Sequence, residues 1–333
     1  MLADICLGLV LLGVSAYAVL GAADFGAGFW DLTAGGASAG GRVRGLIQRS
    51  MSPVWEANHV WLIFILVMLW TAFPIAFGSI FSTLSIPLFL GAIGIIFRGA
   101  AFVLRGQAAT IREARALGAT FALSSVLIPF SFGAAIGGVA SGRVVVGNAA
   151  GDPWSSWLNP TSVLIGVLAV ASGTYLAAVY LAGAGAVTGL IAVGGLLVIR
   201  SDARELFDGL TSWPGIGLVA LSAVAGLATL ALVSTRRFGI ARLTAAAAVV
   251  AITIGWAVAQ KPYLLPGELT VDQAAAPDTT LTALVVGVGL GLILLVPSLW
   301  WLYRLVLQGR LDQEYEPLDQ RFRPLGEIDG ADR

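Results

Sequence analysis

The chain has 333 residues, 58% of them hydrophobic and 11% charged, and a mean hydropathy of +0.89. A soluble domain carries about a quarter charged residues, so a chain this apolar cannot cover a water-facing surface. A cytosolic enzyme and a nucleic-acid binder are thereby excluded, and a polytopic membrane protein is left. Nineteen basic and nineteen acidic residues leave no net field, so only the distribution of charge along the chain is informative.

Cys6 is the single cysteine, which excludes an intrachain disulfide framework. The opening Met1-Leu2-Ala3-Asp4 has no basic region of the kind a signal peptide carries, so the first apolar run is expected to be retained as a helix. A helix needs roughly 20 apolar residues to cross a hydrocarbon core about 30 Å thick. That window predicts nine spans, at 5–32, 53–77, 80–104, 117–140, 160–181, 184–199, 214–234, 241–259 and 281–307. The fifth and sixth are barely separated, and Gly183-Ala-Gly185 is the place for a tight reversal, because glycine tolerates turn dihedrals.

Loop charge supports this parity. With the N-terminus outside, the cytoplasmic side receives Arg42, Arg44, Arg49, Arg105, Arg112, Arg115, Arg236, Arg237, Arg242, Arg304 and Arg310, and the outside keeps Arg143, Arg200, Arg204 and Lys261. That is the asymmetry the positive-inside rule demands, and a single crossing over 160–199 would destroy it. Asp152, Asp202, Glu205, Asp208, Glu268, Asp272 and Asp278 fall in or beside the outer loops. Trp154, Trp157, Trp213, Trp300, Trp301 and Tyr303 fall near span ends, where aromatic rings favour the headgroup layer. Residues 1–308 are expected to form the transmembrane domain and 309–333 a short, charged cytoplasmic tail.

An ionisable side chain at bilayer depth costs about 2.5–3.5 kcal/mol, so each one needs a reason. Asp24 lies inside the first span among glycines and alanines, Gly21-Ala-Ala-Asp-Phe-Gly-Ala-Gly28, with Asp31 two turns further on the same face. Small neighbours let another helix approach, so Asp24 is expected to face protein. It is either a buried acid hydrogen-bonded to a neighbouring helix or a carrier of protons or ligand. The second span opens with Ser52 as N-cap and Pro53 in its first turn. Glu56 then sits where the helix dipole favours an anion. The grouping of Trp55, Glu56, Asn58 and His59 reads as the mouth of a proton or ligand path. His59 is the single histidine, and Met1, Met51 and Met68 are the only methionines. A six-coordinate b-type haem needs two axial ligands, so the chain is not expected to ligate haem by itself. Arg98, inside the third span, is either an arginine snorkelling to the interface, a counter-ion for Asp24 or Glu56, or a donor to a quinone carbonyl. No Walker A pattern and no metal-spaced Cys or His cluster occurs, so no metal site is expected.

Three segments carry a resemblance to subunit II of the cytochrome bd-type quinol oxidases. They are Asp24-Phe-Gly-Ala-Gly28, Pro53-Val-Trp-Glu-Ala-Asn-His-Val-Trp-Leu-Ile63, and Phe97-Arg98. Arg200-Ser-Asp-Ala203, Leu206-Phe-Asp-Gly209, Pro262-Tyr-Leu-Leu-Pro266 and Val296-Pro-Ser-Leu299 follow in family order. The resemblance implies nine helices arranged as two four-helix bundles plus a peripheral helix, in the bacterial cytoplasmic membrane. It implies a haem-bearing subunit I as partner, holding two b-type haems and one d-type haem, and small single-helix subunits as further partners alongside quinol and lipid. The complex would oxidise quinol and reduce O2 to water with cytoplasmic protons. Glu56 then matches an acid of the proton path and Asp24 a second member, with Asn58 and His59 beside them; Trp55 and Arg98 match a quinone-holding site. Three departures are visible: Gly21 where many relatives have an acid, His59 where Gln or Glu is frequent, and a very short connection at Gly183-Ala-Gly-Ala-Val187. The competing class is a proton-coupled secondary transporter using Asp24, Glu56 and Arg98.

Overall fold

In hydrocarbon a backbone can only hydrogen-bond to itself, and the apolar runs of this chain accordingly form helices. The structure, a computed structural model, describes residues 1–35, 44, 47, 55–105, 107–181 and 186–308. In chain order the elements are α1 (Leu2–Thr33), α2 (Trp55–Ala72), α3 (Pro74–Thr83), α4 (Ser85–Arg105), α5 (Ile111–Ala140), α6 (Pro160–Leu181), α7 (Ala186–Asp202), α8 (Arg204–Leu210), α9 (Trp213–Ser234) and α10 (Phe238–Gln260). A two-stranded hairpin, β1 (Tyr263–Leu265) and β2 (Leu269–Thr270), precedes the one-turn α11 (Val271–Ala274) and the long α12 (Asp278–Leu307). Among the described residues seven helices are long and apolar enough to cross a membrane, namely α1, α4, α5, α6, α9, α10 and α12, while α2 and α3 contribute shorter apolar stretches. The protein is an all-α, multi-pass membrane protein.

Successive long helices fold back on one another. Gly94 lies against Ile128, Arg98 reaches Ser125, and Arg105 lies beside Gly118, so α4 and α5 run antiparallel. The uninterrupted apolar run 160–199 is likewise a hairpin: Thr188 donates to the Ala171 carbonyl at 3.1 Å and Gly195 packs on Leu164. The reversing residues, 182–185, lie outside the described residues, as does the segment 309–333 expected as a tail.

One pair of predicted boundaries is corrected. The sequence places spans at 53–77 and 80–104, but α2 ends at Ala72 and a separate short helix occupies Pro74–Thr83 before α4 begins. Pro74 has no N–H to continue the ladder, and Phe73 before it takes φ −136°, ψ 62°, outside the helical region. The corner is held from outside, since Ser79 Oγ accepts from Gly147 N at 3.0 Å and Ser82 Oγ from Ala149 N at 2.7 Å.

Loops and short elements collect at the end of the bundle that carries Asp4. Lys261 Nζ donates to Asp4 Oδ1 at 2.6 Å, and Ala276 N donates to the Ala72 carbonyl. Arg143 grips Asp202 with two bonds, Nη1 to Oδ2 at 3.1 Å and Nη2 to Oδ1 at 2.7 Å, and Oδ2 also accepts from Thr161 N at the start of α6. The Arg143 guanidinium holds the Asp202 carboxyl down at about 2, so this contact is intact at neutral pH and is lost only as pH falls through that value. At the opposite end, Thr110 and Glu113 form a reciprocal capping box that starts α5. Apolar side chains on the outward faces are exposed, as on α12 with Ile293 at 68% and Leu294 at 74%, which suits a lipid environment.

Glycine decides how closely α1 and α6 cross. A Cβ on Gly26 would lie 1.9 Å from the Gly173 carbonyl oxygen, a clash with backbone and not with a movable side chain. Gly26→Val is therefore expected to separate the two helices and cost about 3 kcal/mol, the upper range for overpacking. The measurement is the thermal midpoint of the detergent-solubilised protein; an unchanged midpoint contradicts the close crossing.

Candidate functional site

The small residues of α1 bring three neighbouring helices onto Asp24. A Cβ on Gly28 would overlap Ser125 of α5, so glycine there admits that serine. Asp24 is buried, at 6% exposure, together with Asn58 and Arg98. Asn58 Nδ2 donates to Asp24 Oδ2 and also to the Leu20 carbonyl at 3.2 Å, tying α2 to α1. Burying these groups without partners would cost several kcal/mol, and their mutual bonds are what make the cluster tolerable.

Arg98 does not snorkel. Its exposure is 2%, and its guanidinium carbon lies 5.2 Å from the Phe25 ring centre and 4.9 Å from that of Phe121. Its Nε donates to Ser125 Oγ at 3.0 Å and its Nη2 to the Asp24 main-chain carbonyl at 3.1 Å. Ser125 Oγ donates in turn to the Phe121 carbonyl at 2.7 Å. The expected counter-ion relation thus takes a particular form: Arg98 grips the backbone of Asp24, and the two charges attract through space without a direct ion pair.

His59 is half-buried and stands edge-on to Tyr17 and Phe25, each ring centre 6.2 Å away. Trp55 and Glu56 lie in the first turn of α2, and their side chains lie outside the described residues. Tyr17 was not singled out from the sequence. Its ring fills the space beside Gly21, where a Cβ would meet it at 2.9 Å, and its hydroxyl is buried with no hydrogen-bond partner among the described residues. The signal that could have found it is spacing: Tyr17, Asp24 and Asp31 recur every seven residues on one stripe of α1.

Asp31 forms a second charged level. Arg44 Nε donates to its Oδ1 at 2.7 Å and Arg105 Nη1 to its Oδ2 at 3.0 Å. Arg44 Nη2 also reaches the Gly35 carbonyl at 2.7 Å. The arginines repeat the spacing of the acids, since Arg98 and Arg105 are seven residues apart on α4. Among the described residues no group of three or more His, Cys, Asp or Glu is placed to hold a metal ion.

The profile of the cytochrome bd terminal oxidase subunit II family matches residues 2–306. The chain belongs to that family. A solved bd oxidase structure from Geobacillus thermodenitrificans is similar at 26% identity and a TM-score of 0.74, over 92% of this chain and 98% of that one. No curated protein matches. As a bd oxidase subunit II, the chain is part of a respiratory terminal oxidase, an oxidoreductase complex, and the buried cluster on α1, α2, α4 and α5 lies within the matched region.

Proposed function

We propose that this subunit II serves a bd-type oxidase that oxidises quinol and reduces O2 to water, and that its own contribution is to support the haem-bearing subunit I and to conduct protons inward from the cytoplasm. Nine crossings, in two four-helix bundles plus the peripheral α12, put the Asp4 end outside and the Asp31 end in the cytoplasm of a bacterium whose inner membrane holds the complex. Residues 1–308 then form the membrane domain, and 309–333 the cytoplasmic tail. Small single-helix subunits and lipid complete the assembly.

The observation that supports proton conduction is the Asp24 carboxylate, buried and held by Asn58 about 10 Å along α1 from Asp31, at 1.5 Å per residue. A proton reaching Glu56, at the cytoplasmic start of α2, would pass to Asp24 with Asn58 and His59 alongside. Asn58 fixes one carboxylate oxygen, leaving the other to take the proton. Arg98, caged by Phe25 and Phe121, supplies a fixed positive charge that stabilises the carboxylate after release. With Trp55, Arg98 is also assigned a quinone-holding role.

Haem chemistry belongs to the partner. His59 stands edge-on against two rings, and Met68 is buried at 1% exposure in a separate apolar cluster. Two b-type haems and one d-type haem would sit in subunit I. Family membership supports this reading over proton-coupled transport.

The test is a mild-detergent pull-down of the chain from its native membrane, followed by a reduced-minus-oxidised spectrum. A co-purifying multi-helix partner with b- and d-type signals is the expected result. A colourless protein, stable alone, overturns it.

A further inference from the structure

The second charged level has no part in the path just described. We propose that Asp31 is a positioning residue for proton uptake. It ties Arg105 and Arg44 into a charged collar at the cytoplasmic ends of α1 and α4, and this collar sets the electrostatic potential felt at Asp24. The inference rests on the reading of Asp24 as a proton-path member.

Three observations carry it. Asp31 is 5% exposed and accepts from two arginines, at 2.7 and 3.0 Å, so both its carboxylate oxygens are engaged and it anchors the collar. Two of the collar's three charges stand one heptad from the inner level, Asp31 from Asp24 and Arg105 from Arg98, on helices that present those residues to each other. The intervening distance, about 10 Å, is comparable to a Debye length in salt water but is spanned here by packed protein, where screening is weak.

The charged and titratable groups around this stripe are few. α1 itself carries Tyr17 and, about 30 Å away, Asp4. Of the elements packed on α1, α2 carries His59 and Glu56, and α5 carries Arg112, Glu113 and Arg115 at its start. α6 carries Tyr175 and Tyr180, α10 carries Arg242, α11 Asp272, and α12 Asp278 at one end and Tyr303 and Arg304 at the other. Arg98 and Arg105 come from α4, and Arg44 from the segment after α1. Among the described residues, Asp31 and Arg105 form an ion pair one heptad from Asp24 along α1.

The experiment measures quinol-driven O2 consumption by the whole purified complex across pH, normalised to haem. A group that must be protonated to deliver a proton loses activity as pH rises, giving an alkaline limb. Asp31→Asn removes a negative charge, favours the ionised path acid and should move that limb down by about one pH unit. Arg105→Gln removes a positive charge and should move it up by a similar amount, and the double variant should return near the parent. Asp31→Glu should keep the parental limb. Limbs that move the same way, or stay fixed while activity merely drops, overturn the proposal and leave a structural clasp. If Asp31→Asn does not assemble, the sign of the Arg105→Gln shift decides alone. Asp24→Asn separates the two ideas: slow turnover there with fixed limbs in the collar variants defeats only the collar, whereas normal turnover defeats the path itself.

Discussion

Asp24→Asn is expected to lower quinol-driven O2 consumption by about a hundredfold, the scale on which a lost acid–base group acts, while haem content and assembly stay at the parental level. The substitution keeps shape. Asn58 already spans α2 and α1 through bonds to Asp24 Oδ2 and the Leu20 carbonyl, and rotation of one amide restores a donor–acceptor match after the change. What is lost is an oxygen that can take and release a proton. Glu56→Gln should behave similarly at the cytoplasmic entry step, slow with haem intact, because the change again removes only the acid. Oxygen-electrode rates, normalised to the reduced haem spectrum, measure both. Parental turnover in the Glu56 variant removes Glu56 from the path, and parental turnover in the Asp24 variant ends the proton-conducting reading.

The fold was legible wherever a long apolar run could do only one thing. Hydropathy found the long helices, and the run 160–199 is a pair of helices, as the Thr188–Ala171 bond shows, while the predicted reversal at Gly183-Ala-Gly185 lies outside the described residues. The corner at Phe73–Leu84 was not found, because a hydropathy window averages over Pro74 and the residues around it stay apolar through the break. In the site, burial of Asp24 followed from its small neighbours, and their purpose is now specific: Gly26 admits α6 and Gly28 admits Ser125. The surroundings of Arg98 were illegible. Ser125 and Phe121 come from a helix about 25 residues later, and neither is unusual in an apolar span. Tyr17 was hidden for a similar reason, since an aromatic ring near the middle of a span reads as ordinary packing. The Asp31–Arg105 pair was present as two unrelated readings, an acid on the Asp24 stripe and a cytoplasmic arginine. Only the antiparallel α4–α5 hairpin and its packing on α1 bring them to 3.0 Å.

Arg98→Ala should be the most damaging single change in the cluster. Removing the side chain empties the space between Phe25 and Phe121, so two faces each holding a cation at about 5 Å lose it, a contribution of about 1–2 kcal/mol when desolvated. It also leaves Ser125 Oγ without its incoming donor and the Asp24 carbonyl without its bond. Worst, the buried Asp24 carboxyl loses the cation that attracts its charged form, so the ionised state the path relies on is left uncompensated. The expected outcome is a complex with a sharply lower thermal midpoint, less bound quinone and little turnover. Arg98→Lys discriminates the causes. An ammonium restores the charge, yet it is a compact point charge and lacks the planar fork that reaches Ser125 and Asp24 at once while stacking between two rings. The lysine variant should therefore recover part of the stability and little of the quinone content, as read by thermal denaturation and by extraction of bound quinone. Full quinone retention and normal turnover in the alanine variant would reduce Arg98 to a replaceable packing element and remove it from both the quinone site and the proton path.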